Sequence, residues 1–389
     1  MSTTMQPGTP GWLRARNDRV ALSLLLEHGP LTRNRLGELS GLSKPTAAQM
    51  VARLENAGLI QVVGEASGGR GPNAAMYGVR GDRLRAVAVD ISDTAITSTV
   101  VNATGPVNPT VVQPLPLAGR SPASDVGGAV NAAVAAAGVD PASVGIVCVG
   151  VQAAISELDD RLSFVDTLPG WPEAGVRNSL KAALGYDVVL DNDVNLAAMA
   201  ERAVGATADV SSFALLWMGA GLGLSVDLGG TLHRGAAGGA GEIGYLPVPR
   251  EAEFLAPDAV DLTDLIGGPA VSGLAQRFGG TGSGLDEQLA SVTDVTGFHQ
   301  ALAPRIALGV VPVLAVLDPE RVVLGGPTGA AGGDALARAV QSHISTHSRF
   351  RPSVVATGVP LHPVLAGARQ LLVDEIRSRL LADVPTLAS

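Results

Sequence analysis

Residues 41–58 read Gly-Leu-Ser-Lys-Pro-Thr-Ala-Ala-Gln-Met-Val-Ala-Arg-Leu-Glu-Asn-Ala-Gly. Ala47, Met50, Val51 and Leu54 fall at helical spacing and form one apolar stripe, while Lys44, Thr46, Gln49 and Arg53 lie off it. Cations, a hydroxyl and an amide on the free face of a helix can reach phosphates and base edges, which is DNA-reading chemistry. Ser43, Thr46 and Gln49 are expected nearest the bases. Lys44 and Arg70 are expected on phosphate or in a minor groove, with Arg33, Pro45 and Arg53 completing the surface. A second set is Asp191-Asn192-Asp193, which ends the apolar run Val188-Val189-Leu190 and leads straight into a helix. Polar groups at a strand's carboxyl edge stand where open α/β sheets keep their ligand site. The rival reading is that Asp191 and Asn192 only cap that helix.

The DNA-reading residues need a helix-turn-helix to carry them. Ser43 is expected to cap a helix over about 44–57, Pro45 fits its first turn and Gly58 stops it. Thr32 to Ser40 reads as a short helix with Leu36 and Leu39 inward, and Gly41-Leu42 is the tight connection between the two. Trp12 to His28 forms a first helix, with Leu13, Val20, Leu22, Leu24, Leu25 and Leu26 as its apolar residues. Leu59–Val63 and Ala75–Val79 read as two strands whose loop holds Gly68-Gly69-Arg70-Gly71-Pro72, a wing that presents Arg70. The alternative is a small helical domain with a basic surface. Residues 1–10 read as a disordered tail, 11–80 as the winged domain and 81–85 as a polar link.

The body from residue 86 alternates apolar strands and helices. Ala86–Ile91, Ala95–Val101, Val111–Leu117, Val144–Val151 and Val188–Leu190 read as strands, with helices over 125–138, 178–184 and 194–204. Phe213–Trp217, the turn Gly219-Ala220-Gly221-Leu222-Gly223 and Leu224–Leu228 start the pattern again. Two related α/β lobes with a cleft between them are therefore expected: lobe I over about 86–205 plus a closing helix within 364–389, and lobe II over about 206–363. A helix over 298–317, a strand at 321–324 and a tail helix over 364–381 complete the pattern.

Charge divides at the same boundary. Residues 1–85 carry 11 Lys and Arg against 6 Asp and Glu, and residues 86–389 carry 16 against 30. A basic head on an acidic body fits a chain in which only the head meets phosphate. The chain has 389 residues, 46% of them hydrophobic, enough for two or three domains. No unbroken apolar run is long enough for a bilayer and no signal-peptide start is visible, so a soluble cytoplasmic protein with no membrane contact is expected. The single cysteine, Cys148, excludes an intrachain disulfide and a multi-cysteine zinc cluster. His343 and His347 stand at i,i+4, and the simpler reading is a solvated helix face.

Four ordered motifs resemble the ROK family of repressors, open reading frames and sugar kinases, which has an actin-like sugar-kinase fold. They are Leu168-Pro169-Gly170-Trp171; Asp191-Asn192-Asp193-Val194-Asn195 with Glu201; Gly238-Gly239-Ala240-Gly241-Glu242-Ile243-Gly244; and 317–327, Leu-Asp-Pro-Glu-Arg-Val-Val-Leu-Gly-Gly-Pro. With the winged head of the repressor branch, the resemblance covers nearly the whole chain. It implies that Asn192 and Asp193 bind sugar hydroxyls, with Asp193 at the position of a kinase's general base. It implies a second hydroxyl acceptor in Glu242, for which a loop salt bridge is the equal alternative. Carboxylates and amides suit hydroxyls, each of which needs donor and acceptor partners.

Departures from the family pattern select the branch. Family kinases carry Asp-x-Gly-Gly-Thr as a phosphate loop, and here that place reads Asp90-Ile91-Ser92-Asp93-Thr94. The glycines are gone and Asp93 is expected to oppose polyphosphate in a desolvated cleft. The turn at Gly219–Gly223 is either a remnant of a second phosphate loop or a hairpin turn. The family's zinc histidine falls on Tyr245, its three cysteines have no counterpart between Arg250 and Gly268, and its sugar-contact glutamate falls on Thr263. No metal and no cofactor are therefore expected, and Tyr245 either reshapes the sugar pocket or closes it. The expectation is a transcriptional repressor of sugar or amino-sugar genes, a homodimer or homotetramer that binds operator DNA and senses a sugar or sugar phosphate. The alternative is an ATP-dependent sugar kinase with a DNA-binding head.

Overall fold

A computed structural model describes residues 9–66, 73–104, 108–115, 119–156, 158–163 and 168–384. The head runs α1 (Pro10–His28), β1 (Leu31–Thr32), α2 (Arg33–Ser40), α3 (Lys44–Asn56), β2 (Ile60–Ala66) and β3 (Ala74–Val79). Its three strands pair in the order β1-β3-β2. Thr32 caps α2 by accepting from Arg35 N, and Gly41 ends it in the left-handed region (φ 68°). That turn swings the chain into α3, whose stripe of Ala47, Met50, Val51 and Leu54 is buried. Ser43 begins α3 but caps no amide; its hydroxyl is 2.9 Å from that of Thr46 instead. Leu39, expected inward, is exposed, as are Leu13 and Val20 of the apolar set on α1, and the core under α2 and α3 is made by Leu22, Leu25, Leu36 and Leu54. Residues 1–8 of the expected tail and the wing tip 67–72, including Arg70, lie outside the described residues.

Lobe I comprises β4 (Arg85–Ile91), β5 (Ala95–Val101), β6 (Val111–Pro114), α4 (Pro122–Ala137), β7 (Val144–Val151), β8 (Ala154–Ser156), β9 (Arg161–Ser163), α5 (Val176–Leu184), β10 (Asp187–Asn192) and α6 (Asp193–Val204). Lobe II comprises β11 (Ser212–Met218), β12 (Leu222–Leu228), β13 (Thr231–Leu232), α7 (Leu262–Ile266), α8 (Gly268–Arg277), α9 (Leu285–Ser291), α10 (Val295–Leu317), β14 (Arg321–Gly325), α11 (Gly326–His347) and β15 (Val354–Ala356). The chain closes with α12 (Pro363–Asp383). The two large sheets repeat one plan, β6-β5-β4-β7-β10 and β13-β12-β11-β14-β15. In each, the first two pairings are antiparallel and the last two parallel. The duplication expected from the strand patterns is thus present in strand order and direction.

One face of each sheet has its own helices: α4 and α5 on lobe I, α7, α8, α10 and α11 on lobe II. The opposite faces share a central layer, α6 and α12. Those two helices touch backbone to backbone, since a Cβ on Gly367 would fall 1.7 Å from the Leu196 carbonyl oxygen. Helix α10 is long and apolar enough to cross a membrane by length and composition, yet its inner residues Leu302, Ile306, Val310 and Val313 are core of lobe II. The expected third strand is shorter than Val111–Leu117, ending at Pro114.

The Gly367 contact yields a stability prediction. Gly367→Ala is expected to destabilise the chain by about 1–3 kcal/mol through overpacking of α12 on α6. Urea unfolding followed by circular dichroism checks this, with an unchanged midpoint refuting it.

Candidate functional site

On the head, Arg33, Ser43, Lys44, Pro45 and Gln49 are exposed on α2 and the first turns of α3, and Thr46 is half-buried. Arg53 is a correction. Its Nη2 and Nε lie 2.6 and 2.9 Å from the two carboxylate oxygens of Asp18 on α1, and Asp18 is 2% exposed. A bidentate bond to a buried carboxylate occupies the guanidinium, and this pairing holds its pKa above the ordinary arginine value. Arg53 therefore fixes α3 to α1, and two of its three guanidinium nitrogens are taken up there rather than turned to solvent. Nothing local in the sequence marked the pair, because the partners are 35 residues apart.

The cleft lies between the lobes and encloses a cavity of about 300 Å³. Its floor is the start of α6, because β10 runs parallel to β7 and delivers Asn192 and Asp193 at the carboxyl edge of the sheet. Asn192 caps α6 by accepting from Asn195 N (3.1 Å), and its amide donates to Ala153 O (3.2 Å) and to Asp193 (3.1 Å). Asp191 does not cap the helix as the rival reading had it. It accepts from Asn192 N and pairs with Arg234 at 2.6 Å in a small recess beside the cavity.

Asp193 is 7% exposed, and burial, then the charges of Asp90 and Glu242, push its carboxyl up to about 7. Asp90, at the end of β4, is pushed up to about 7 by burial, and burial raises Glu242 as well. No salt bridge involves Glu242 among the described residues, so the loop-pair alternative has no support.

Glu242 and Tyr245 stand on the opposite wall, brought there by Gly238–Gly241. A Cβ on Gly238 (φ 78°) would fall 1.9 Å from Ile155 O, and one on Gly241 (φ 95°) 1.7 Å from Leu224 O. Glycine at both positions lets this segment press against each lobe. Tyr245 is 57% exposed and walls the cavity without closing it. Thr263 also lines it, as the resemblance implied. The strap 246–262, which overlaps the stretch from Arg250 to Gly268 that lacks the family cysteines, is tied by Val248 N to Val260 O (3.1 Å), Leu262 N to Leu246 O (3.0 Å) and the Arg305 guanidinium to Leu255 O (2.6 Å).

Two expectations about phosphate loops change. Asp93 is exposed at the β4–β5 turn rather than in a desolvated cleft, so its charge there is screened by water. What does stand in the loop is a closed hairpin: the Ser92 hydroxyl accepts from Ala95 N and donates to Ala95 O, both at 3.0 Å. The glycines at 219, 221 and 223 turn β11 into β12 without a left-handed residue. Gly223 is needed for packing, since its Cβ would meet Val194 at 2.9 Å, while Ala220 and Gly221 face the cavity. Gln152, Asp261 and Asp264 line the cavity without having been expected there, and Asn195, which lines it, and Asp90, whose charge acts on Asp193, stood in the quoted motifs with no site role. Asp261 caps α7 by accepting from Asp264 N (2.9 Å), a spacing visible in Asp-Leu-Thr-Asp.

The model of the ROK family matches residues 86–371, and a winged helix-turn-helix DNA-binding model matches residues 14–61. A bifunctional enzyme NanE/NanK of Brucella suis is 31% identical over 211 residues, 53% of this chain and 38% of that protein. The xylose repressor of Bacillus subtilis is 22% identical over 236 residues, 60% of each chain. The matched stretches therefore span less than two thirds of these relatives. Among solved structures, a ROK family transcriptional regulator described as a homolog of the E. coli MLC protein has the same fold, with a TM-score of 0.68, 17% identity and coverage of 95% of this chain and 99% of that one.

Two predictions follow from the two sites. Arg53→Ala, leaving Asp18 buried and unpaired, is expected to cost about 3 kcal/mol. The pair Asp18→Asn/Arg53→Met should recover most of it in thermal denaturation; equal losses for both variants would mean that Arg53 does not act through Asp18. For Asp193, the folded pKa near 7 exceeds the unfolded value of about 3.9. Its contribution to stability is therefore fully present below about pH 4 and is lost as pH rises through about 7. Asp193→Asn, which cannot ionise, should gain melting temperature over the parent progressively from pH 4 to 7 and level off by pH 8. A difference independent of pH would refute this.

Proposed function

Since the chain belongs to the ROK family, we propose that it is a transcriptional repressor whose grip on operator DNA is set by an unphosphorylated sugar held between the lobes. The observation that carries this is the wall of the cleft. Asn192, Asp193, Glu242 and Thr263 offer an amide, carboxylates and a hydroxyl, and no Lys or Arg is among the described residues that line it. Such a set hydrogen-bonds hydroxyls and opposes a phosphate, because like charges repel most where water is scarce. Arg234, in the adjoining recess, is already engaged by Asp191. The sugar phosphate is therefore the weaker half of the expected effector class.

The head supplies the other half of the reading. Lys44, Gln49 and Arg33 are exposed on a winged helix-turn-helix, and Arg70 stands in the wing sequence. One such head binds modestly, so two or four copies are proposed to engage paired half-sites in the cytoplasm. Asp193 then holds a hydroxyl rather than deprotonating one. The rival reading, a sugar kinase, is favoured by the Brucella relative, which is an enzyme. The closed Ser92 hairpin in place of a glycine phosphate loop disfavours it.

The test uses the full chain, a panel of free pentoses and hexoses with their phosphates, and an operator duplex obtained by selection from random sequence. A free sugar should raise the melting temperature while its phosphate does not. The same sugar should weaken operator binding, and Lys44→Ala or Gln49→Ala should weaken it without sugar. Stabilisation by the phosphate alone would overturn the ligand class, and sugar-dependent ATP turnover abolished by Asp193→Asn would make the protein a kinase.

A further inference from the structure

The chain passes between the lobes twice, at 205–211 from α6 to β11 and at 357–362 from β15 to α12. Both crossings are tied to one side chain. Glu201, on the last turn of α6 and 1% exposed, accepts from Ala206 N (2.7 Å) in the first crossing. In the second it accepts from the Thr357 hydroxyl, from Gly358 N (3.1 Å) and from Val359 N (3.3 Å). The crossings also touch each other. A Cβ on Gly358 would fall 2.6 Å from Ala206 N and 2.8 Å from Gly205 Cα, and one on Gly205 would fall 2.2 Å from Glu201 Oε2.

What lies on either side of this knot gives it a mechanical meaning. The first crossing is fastened to lobe II: Arg321 of β14 holds Asp209 at 2.6 and 3.1 Å, and Arg202 of α6 donates to Thr207 O in the crossing (2.9 Å) while holding Asp227 of β12 at 2.6 Å. The second crossing runs into α12, which packs on β4 and β7 of lobe I. A carboxylate suits the junction because it only accepts, and four donors converge on it. A glutamine would turn its own N–H groups toward one or more of them and leave that contact broken.

We propose that Glu201 is the pivot of inter-lobe motion, holding the two crossings together while the lobes turn about them. The proposal rests on the reading that the cleft at the other end of α6 takes a ligand, and it adds the place about which closure occurs. Glu201 is a positioning residue and does not touch that ligand.

The test places spin labels on the full chain at Ala135→Cys in α4 and Gln276→Cys in α8, both exposed, while the native Cys148 is fully buried. Inter-label distances are measured without sugar and with D-xylose as the probe. In the sugar-free chain, Glu201→Gln should broaden the distribution and Thr357→Val should broaden it less. Gly358→Ala, which wedges the crossings apart, should shift the mean. If Glu201→Gln fails to fold, the other two variants decide.

Distributions of the folded variants that superimpose on the parent's would overturn the pivot. So would a xylose-induced shift equal in position and width in parent and Glu201→Gln, an outcome that leaves the sugar reading standing. Broadening in Glu201→Gln with no response of any chain to xylose would support the pivot and count against xylose in the cleft.

Discussion

The contact between α6 and α12 at Gly367 is the constraint on which the rest of the molecule depends. With the Leu196 carbonyl 1.7 Å from where a Cβ would be, only glycine lets the two backbones meet. Gly150 of β7 completes the junction, since a side chain there would strike Val364 and Leu196 at 2.7 and 2.8 Å. The closeness sets the position of α6 to within a side chain's width. One end of α6 then presents Asn192 and Asp193 to the cleft, and the other end brings Glu201 to the crossings. A looser contact would leave both ends free to drift, and a binding site built on one helix tolerates little drift.

The same layer ties the head to the body. A single apolar cluster runs from Leu22, Leu36 and Leu54 of the head through Ala86 and Cys148 of lobe I to Leu372 and Leu380 of α12. Polar bonds seal its edge: Arg377 donates to Leu26 O and Ala103 O, Arg19 to Leu381 O, and Arg83 pairs with Asp383 at 3.2 Å. The head therefore packs as one body with lobe I, and residues 81–85, the expected link, do not form a loose tether. Lobe motion within one chain leaves the orientation of its own head on lobe I unchanged.

Much of this was legible in the residues because it depends on local period and on chain ends. The α3 stripe, the β4 and β7 runs and the second start at β11 carry their own periodicity, and the structure reproduces them within a few residues. The polar end of β10 likewise announced the cleft. What stayed hidden depends on distance in the chain. Arg53 looked like a free cation because Asp18 is 35 residues away, and Glu201 looked like one more motif residue until 357–359 came back to meet it. The motif Leu168-Pro169-Gly170-Trp171 is not among the described residues that line the cavity; Trp171 donates its indole N–H to buried Asp125 at 3.0 Å, which also holds Arg120. Helix α11 escaped notice because Gly326, Gly329, Gly332 and Gly333 dilute its first half, and Gly333 breaks its helical dihedrals.

Charge has two uses in this protein. Acidic residues keep the body from competing with the head for phosphate, because the field of residues 86–389 repels the polyanion that the basic head attracts. In the cleft the same sign acts at short range, where Asp90, Asp193 and Glu242 raise one another's proton affinity or sit in surroundings that do so. Such a cluster is destabilising when ionised, a cost that hydrogen bonds donated by hydroxyl groups would offset. A ligand with its own negative charge would add to the repulsion instead.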